Sequence, residues 1–269
     1  MTDNIPMRWY LFFIIPMSLI FGHGCSGGSS QSSGGTAAQE SFVRSVFSSA
    51  VTDFSIQVFY ETGAEPYVGS LGLTMNTTWD ITKSSYSALF STHSGRTITA
   101  PTTLAQMTSI GAQNQNSWSG DQLLSLGATY SQPSSATQIN VAVIFVKGLY
   151  QGNANILGIH FTGYPFVFVF KDVVTSVGGD SVSQRYVEQG TVVHEVGHAI
   201  GLVNLGLPMV TNHEDQSHAH HTTDTQCVMY WAVESKSNIL ASLTNFITGN
   251  QLNLFGSSAL SDGRSYHPN

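Results

Sequence analysis

Charged residues are scarce in this chain: only 9% of its 269 residues are Asp, Glu, Lys or Arg, and Lys and Arg together number 9. The formal net charge is −7, and the few cations form no visible cluster along the chain. Because proteins that bind phosphate backbones need clustered cations, we expect no nucleic-acid partner. The abundant Gly, Ser and Thr, together with the aromatic residues, favour an exported protein with β-structure over a disordered one.

Cysteine is nearly absent as well, with Cys25 and Cys227 as the two examples. Residues 9–21 (WYLFFIIPMSLIF) form an apolar run that is too short for a comfortable membrane span and follows Arg8, which is typical of a signal peptide. Cys25 then precedes a Gly/Ser-rich tract and resembles the lipidated cysteine of bacterial lipoproteins. We therefore predict a signal peptide over residues 1–24 and a tether over residues 25–40. A lipid anchor at Cys25 would place the protein on a membrane, facing the periplasm or the cell exterior; plain secretion is the alternative.

Residues 41–269 are predicted to form one monomeric domain of α+β class. Alternation and apolar runs predict strands over residues 54–60, 138–146, 156–161 and 166–174. Helical spacing predicts helices over residues 79–93, 121–130 and 237–247, and a long helix from 181 to about 201 that is capped by Ser181 or Ser183. The chemistry is concentrated in this long helix and in the irregular segment that follows it.

The stretch TVVHEVGHAIGLVNLGLP, residues 191–208, lies on the long helix. His194 and His198 are four residues apart, so both rings can point from one helical face toward a single Zn²⁺ ion. Glu195 projects beside them, where it can hold a water molecule that the metal activates. Two structural histidines on a core helix are the alternative interpretation of this pattern.

A histidine-rich segment, HEDQSHAHH, follows at residues 213–221. Six of the ten histidines in the chain lie between His194 and His221, which is a composition typical of metal binding. The segment offers His213, Asp215, His218, His220 and His221 as sources of a third ligand. Spacing alone leaves the choice among them open.

The motif HEVGHAIG resembles the pattern of the metzincin zinc proteases, in which the glycine, here Gly201, ends the helix in a sharp turn. Met229 in QCVMYW resembles their turn methionine. The stretch from His221 through Cys227 and Val228 to Met229 is similar to the archaemetzincin spacing, although Thr222 stands where that family has a cysteine. An insertion separates Gly201 from His221 here, and Asn204, a poor zinc ligand, occupies the usual position of the third histidine.

The resemblance implies a metzincin-like zincin: a twisted mixed sheet, a long active-site helix and an irregular C-terminal part with a methionine turn. It implies one catalytic Zn²⁺ held by His194, His198 and His221, with His213 as the alternative third ligand, and Glu195 as the general base. The predicted function is therefore hydrolysis of peptide or protein substrates, with the substrate paired to strand 156–161 or 166–170. The alternatives are a non-catalytic zinc-binding surface lipoprotein, or a structural zinc site closed by a fourth ligand such as Cys227 or another loop histidine.

Overall fold

The computed structural model describes residues 37–72 and 75–268. The predicted signal peptide, the predicted anchor Cys25 and residues 25–36 of the predicted tether lie outside these residues. Helix α1 (Ala37–Phe47) begins inside the predicted tether, before the predicted domain start at Ser41. Within the described part of the chain, no helix combines the length and the apolar character needed to cross a membrane.

Strands with interspersed helices make up the first part of the domain, and helices make up the part after β8. The other helices are α2 (Asp80–Leu89), α3 (Gly120–Tyr130), α4 (Lys171–Thr175), α5 (Ser181–Ala199), α6 (Ile239–Thr248) and α7 (Ser257–Ser265). The strands are β1 (Asp53–Tyr60), β2 (Thr97–Thr99), β3 (Thr108–Ser109), β4 (Ser117–Trp118), β5 (Gln138–Val146), β6 (Leu149–Tyr150), β7 (Gly158–His160) and β8 (Phe166–Phe170). Short 3₁₀ turns cover Leu104–Gln106 and Trp231–Glu234. The predicted α+β class is confirmed.

A mixed sheet forms the framework, with strands in the order β2-β1-β5-β8-β7 and with β3 paired to the end of β1. The pairs between β1, β2, β3, β5 and β8 are parallel, whereas β7 runs antiparallel to β8 and lies at the edge. Strands β5 and β8 are buried along nearly their whole length, as expected for parallel strands covered on both faces. The sheet therefore presents one antiparallel edge strand, β7, next to helix α5.

The start of helix α5 differs slightly from the prediction. Its cap is Asp180, whose side chain accepts a hydrogen bond from the Ser183 N–H at 2.8 Å, and not Ser181 or Ser183. A carboxylate at this position satisfies an N–H group that the helix itself leaves unpaired, and it also interacts favourably with the helix dipole.

The end of α5 is a sharp turn at Gly201, as the resemblance implied. The N–H of Leu202 donates to Gly197 O at 3.0 Å and the N–H of Gly201 donates to His198 O at 2.9 Å, which is a Schellman arrangement. Gly201 has a φ of +90°, and a β-carbon there would lie 2.4 Å from a methyl group of Val43 in α1. Only glycine allows helix α1 to approach the helix end this closely.

The predicted strand over residues 166–174 is too long, because the chain turns into helix α4 at Lys171. Lys171 is buried and forms an ion pair with Glu188 of α5, which is fully buried. The ammonium also lies 3.3 Å from the ring centroid of Tyr67. A charge that is buried in this way needs a partner of opposite sign, which Glu188 supplies at the first residue after β8.

Candidate metal centre

Three imidazoles and one carboxylate converge beside helix α5. His194, His198, His221 and Glu234 each offer one ligand atom, and these atoms all lie within 4.8 Å of one another. His194 and His198 come from successive turns of α5, and their Nε2 atoms are 3.0 Å apart. His221 comes from the irregular segment after α5, and Glu234 ends the second 3₁₀ turn.

The ring orientations leave Nε2 atoms free to bind a metal. His194 Nδ1 lies 2.7 Å from the carbonyl oxygen of Val228, and His221 Nδ1 lies 3.0 Å from that of Ala219. Because a carbonyl oxygen only accepts hydrogen bonds, each Nδ1 is the donor and each neutral ring presents an unprotonated Nε2. Nε2 of His221 is buried and faces Oε1 of Glu234 at 3.0 Å. Nε2 of His198 lies beside them, 3.0 Å from that of His194. Three imidazole nitrogens beside a carboxylate are a donor set that suits Zn²⁺.

Met229 lies directly beneath these histidines. It is fully buried, and a β-carbon added at Gly197 would lie 2.5 Å from its sulfur. Its carbonyl oxygen accepts from the N–H of Thr222 at 3.0 Å, which connects this turn to the residue after His221. The turn therefore supports both the helix and the segment that carries the third histidine.

Cys227, two residues before Met229, is free and buried. Burial raises the pKa of its thiol to about 11, so it is not a thiolate near neutral pH. It lies outside the group of converging ligand atoms in the described residues. The structure thus gives no support for the expected alternative in which Cys227 completes a structural zinc site.

Glu195 lies at the base of a cleft of about 310 Å³ that edge strand β7 borders. Its carboxylate lies close to the backbone N–H of His160 in β7. The pKa of Glu195 is raised well above its usual value, mainly by burial and secondly by the negative charge of Glu234. Gly158 allows this contact, because a β-carbon there would lie 2.6 Å from Cγ of Glu195. Strand β7 and Glu195 therefore lie at the same wall of the cleft.

Glu234 is the residue of this cluster that the sequence did not predict. Its Oε1 lies 3.0 Å from Nε2 of His221, 3.5 Å from Nε2 of His194 and 3.7 Å from Nε2 of His198. Burial raises the pKa of Glu234, whereas a proton on the facing Nε2 atoms of His194 and His221 lowers it, and the lowering dominates, to well below the usual value. The side chain remains 38% exposed and lines the cleft. Its one sequence signal is that it closely follows Met229.

The other candidate histidines lie outside the group of converging ligand atoms, although His220 lines the cleft. Both ring nitrogens of His213 have partners, Thr222 Oγ1 at 2.9 Å and Asp262 Oδ2 at 2.7 Å. His213, the alternative third ligand, is therefore not part of the converging group. His218 stacks on Trp231, with ring centroids 4.3 Å apart. These contacts connect the histidine-rich segment, residues 213–221, to helix α7 through Asp262 and to the second 3₁₀ turn through Trp231.

Asn204 lies outside the cluster too, as expected of a poor zinc ligand. It adopts a left-handed conformation with φ of +62°, and Val203 before it has φ of +52°. Its side chain donates to Oε2 of Glu214 at 2.8 Å, so its partner is a side chain and not the turn backbone. Asn204 thus turns the chain into the insertion and holds its start to the segment that leads to His221.

Gln39 of helix α1 joins two walls of the site. Its side-chain amide donates to the carbonyl oxygens of His198 at 3.3 Å and Ala199 at 3.0 Å, at the end of α5. Its Oε1 accepts from the N–H of Gly163 at 2.8 Å, in the loop that follows β7. A buried residue from the predicted tether therefore provides a partner for the carbonyl oxygen of Ala199 at the helix end and a second hydrogen bond to that of His198.

Comparison with known proteins finds one distant structural likeness and no sequence match. No protein-family model matches the chain, and no curated protein matches it. One similar solved structure is that of a zinc-dependent peptidase from Methanocorpusculum labreanum (strain Z), at 10% identity and a TM-score of 0.43. The similarity covers 78% of this chain and 100% of that chain. At this identity and TM-score the likeness carries no weight for function, which has to be inferred from the site.

Proposed function

We propose that this chain is a zinc-dependent endopeptidase of metzincin-like, and more narrowly archaemetzincin-like, type. The observation that carries the proposal is the convergence of His194, His198 and His221 beside Glu195 in an open cleft. A buried methionine turn and a glycine-ended helix accompany this cluster, as the resemblance implied. A purely structural pair of histidines would need neither the third imidazole nor a carboxylate at the cleft base.

The three histidines would hold one Zn²⁺, which when bound supplies Lewis-acid stabilisation of an oxyanion and a lowered pKa of water. Glu195 accepts a proton from the attacking water and then delivers it to the leaving amine. Burial raises the pKa of Glu195 and so increases its affinity for the proton of the water, while the positive charge of a bound Zn²⁺ would favour the carboxylate form that the first step needs.

The peptide substrate would pair with edge strand β7. Strand β8, the other predicted candidate, has neighbours on both sides, β5 and β7, so its backbone groups are already paired. A peptide that extends the sheet at Gly158–His160 would pass the base of the cleft where Glu195 lies.

A Glu195→Gln variant tests the enzyme directly. We expect the purified full-length protein to bind about one zinc ion with or without the change, whereas casein hydrolysis falls by roughly 10²–10⁴-fold because the proton acceptor is lost. Glu40→Gln makes the same chemical change on the exposed face of α1 and should leave the rate unaltered. Equal hydrolysis by both variants, or no hydrolysis by the wild type with zinc, contradicts the proposal.

A second function, non-catalytic zinc binding at a cell surface, is favoured by one observation. Glu234 offers a fourth protein ligand, and sites with four protein ligands are commonly structural. In that case the wild type would bind zinc and would hydrolyse no peptide under any condition.

We also propose that the protein is exported, monomeric and anchored through a lipid on Cys25. The export and the anchor rest on the sequence of the N-terminal segment. Incorporation of a radiolabelled fatty acid that is lost in Cys25→Ser would support the anchor, and labelling of both forms or of neither would contradict it.

A further inference from the structure

Glu234 lies where a catalytic zinc site normally keeps a position open for water. Catalytic sites bind zinc through three protein ligands, whereas structural sites use four. Oε1 of Glu234 is within 3.0–3.7 Å of all three Nε2 atoms of the histidine cluster. A carboxylate oxygen is a good zinc ligand and competes with water for the same position.

The backbone of Glu234 is fixed by two contacts, whereas its side chain is partly exposed and touches only the histidine cluster among the ion pairs of the described residues. Its carbonyl oxygen accepts from the N–H of Leu157 at 3.3 Å, and the next residue, Ser235, forms an isolated bridge with Ile156. Both contacts are to the segment that enters edge strand β7. The side chain points into the cleft and is 38% exposed, in contrast to the nearly buried side chains of His194 and His198. A rotation of the side chain alone would therefore carry the carboxylate toward solvent without moving the fold.

We propose that Glu234 is a displaceable fourth ligand, so that the metal site rests in a closed state and opens only when this carboxylate leaves. The proposal rests on the metal site of the proposed function and adds its regulation. It also accounts for four ligands in a cleft that is open to a substrate. A peptide that pairs with β7 would bind beside the segment that fixes the Glu234 backbone. Substrate binding and release of the carboxylate would therefore take place at the same wall of the cleft.

Acetohydroxamate, a small anion that chelates metals, tests the closed state without relying on peptide hydrolysis. The full-length protein is loaded with Co²⁺, whose visible absorption reports its coordination, and is titrated with acetohydroxamate. If the carboxylate occupies the position nine-tenths of the time, the wild type binds the chelator roughly tenfold more weakly than an open site does. We therefore expect Glu234→Gln to tighten binding by roughly tenfold, to change the absorption before any chelator is added, and to keep about one metal ion per chain.

Two further variants separate ligation from charge and from folding. Glu234→Asp keeps the negative charge but withdraws the oxygen, so it should also tighten chelator binding if direct ligation matters. If only the charge matters, Glu234→Asp behaves as the wild type, and the proposal is wrong. Glu40→Gln on exposed α1 should leave the titration unchanged.

The outcomes also separate this proposal from the proposed function. Equal chelator affinity and identical absorption in wild type, Glu234→Gln and Glu234→Asp would show that Glu234 is no ligand. Loss of Co²⁺ from Glu234→Gln together with no chelator binding by the wild type would show a permanent structural ligand, which also overturns the proposal. Tighter chelator binding in the variants, with no peptide hydrolysis by any form, would support displaceable ligation and reject the peptidase.

Discussion

Gln39→Ala should destabilise the domain, although this residue lies in a segment whose sequence resembles a tether. Gln39 is fully buried and connects the end of helix α5 to the loop after β7 through three hydrogen bonds. Alanine removes the amide and leaves space where it was. Because the residue belongs to α1, the change also weakens the attachment of this helix to the site.

The size of the effect follows from the groups that lose a partner. The carbonyl oxygen of His198 keeps its hydrogen bond from the N–H of Gly201, so it loses little. The carbonyl oxygen of Ala199 and the N–H of Gly163 lose the bonds that Gln39 provides, at about 1–3 kcal/mol for each buried group left unsatisfied. Gly163 is only partly buried, so water can reach it and its share is at the low end. We expect a loss of about 3 kcal/mol in the free energy of unfolding, including a small term for the space created.

Urea denaturation of the metal-free full-length protein measures this loss, with the exposed neighbour variant Glu40→Ala as the control. Gln39→Glu gives a second test, since it keeps an acceptor for Gly163 but cannot donate to Ala199, so it should lose at least half as much. A loss below about 1 kcal/mol for Gln39→Ala, no larger than that of Glu40→Ala, would mean that α1 is not built into the site as described.

Three other perturbations have expected outcomes. Gly158→Ala places a β-carbon against Glu195, so hydrolysis should fall by about 100-fold with zinc content unchanged. The control Gly120→Ala, whose β-carbon meets nothing closer than 3.6 Å, should keep the wild-type rate, and equal rates for the two variants would contradict the contact. Lys171→Met leaves the carboxylate of Glu188 buried without its cation and should cost about 3–5 kcal/mol in urea denaturation, with much of this recovered in the double variant with Glu188→Gln. The zinc-free protein should melt roughly 5–10 °C below the same protein in the presence of free zinc at 100 times the zinc Kd. Equal melting temperatures in the two samples would argue against a metal site in the fold.

The local parts of the fold and site were predictable because their signals are local. Helix α5 was predicted from its periodicity, and His194 and His198 face one side because they are four residues apart. His221 joins them as the resemblance implied, although an insertion separates it from the helix.

Long-range pairing accounts for what the sequence did not reveal. Glu234 reaches the cluster because a 3₁₀ turn brings the chain back beneath α5, and no fixed spacing links it to the histidines. Gln39 looks like linker in composition, yet the apolar residues Val43, Val46 and Phe47 behind it are buried and could have indicated a helix. Helix α7 was missed because its sequence, SSALSDGRS, is weakly apolar, and its position depends on Gly263 packing against Leu89.

The reactivity of the buried Cys227 thiol can report local opening of the turn that contains Met229. Inaccessible and protonated, it should not react with alkylating reagents while the turn that contains Met229 is closed. The carbonyl of the neighbouring residue Val228 orients His194, so the motion that exposes the thiol also releases a histidine of the cluster. In a Cys25→Ser background, the rate at which the remaining thiol is labelled would measure how often this turn opens beneath the site, separately from global unfolding.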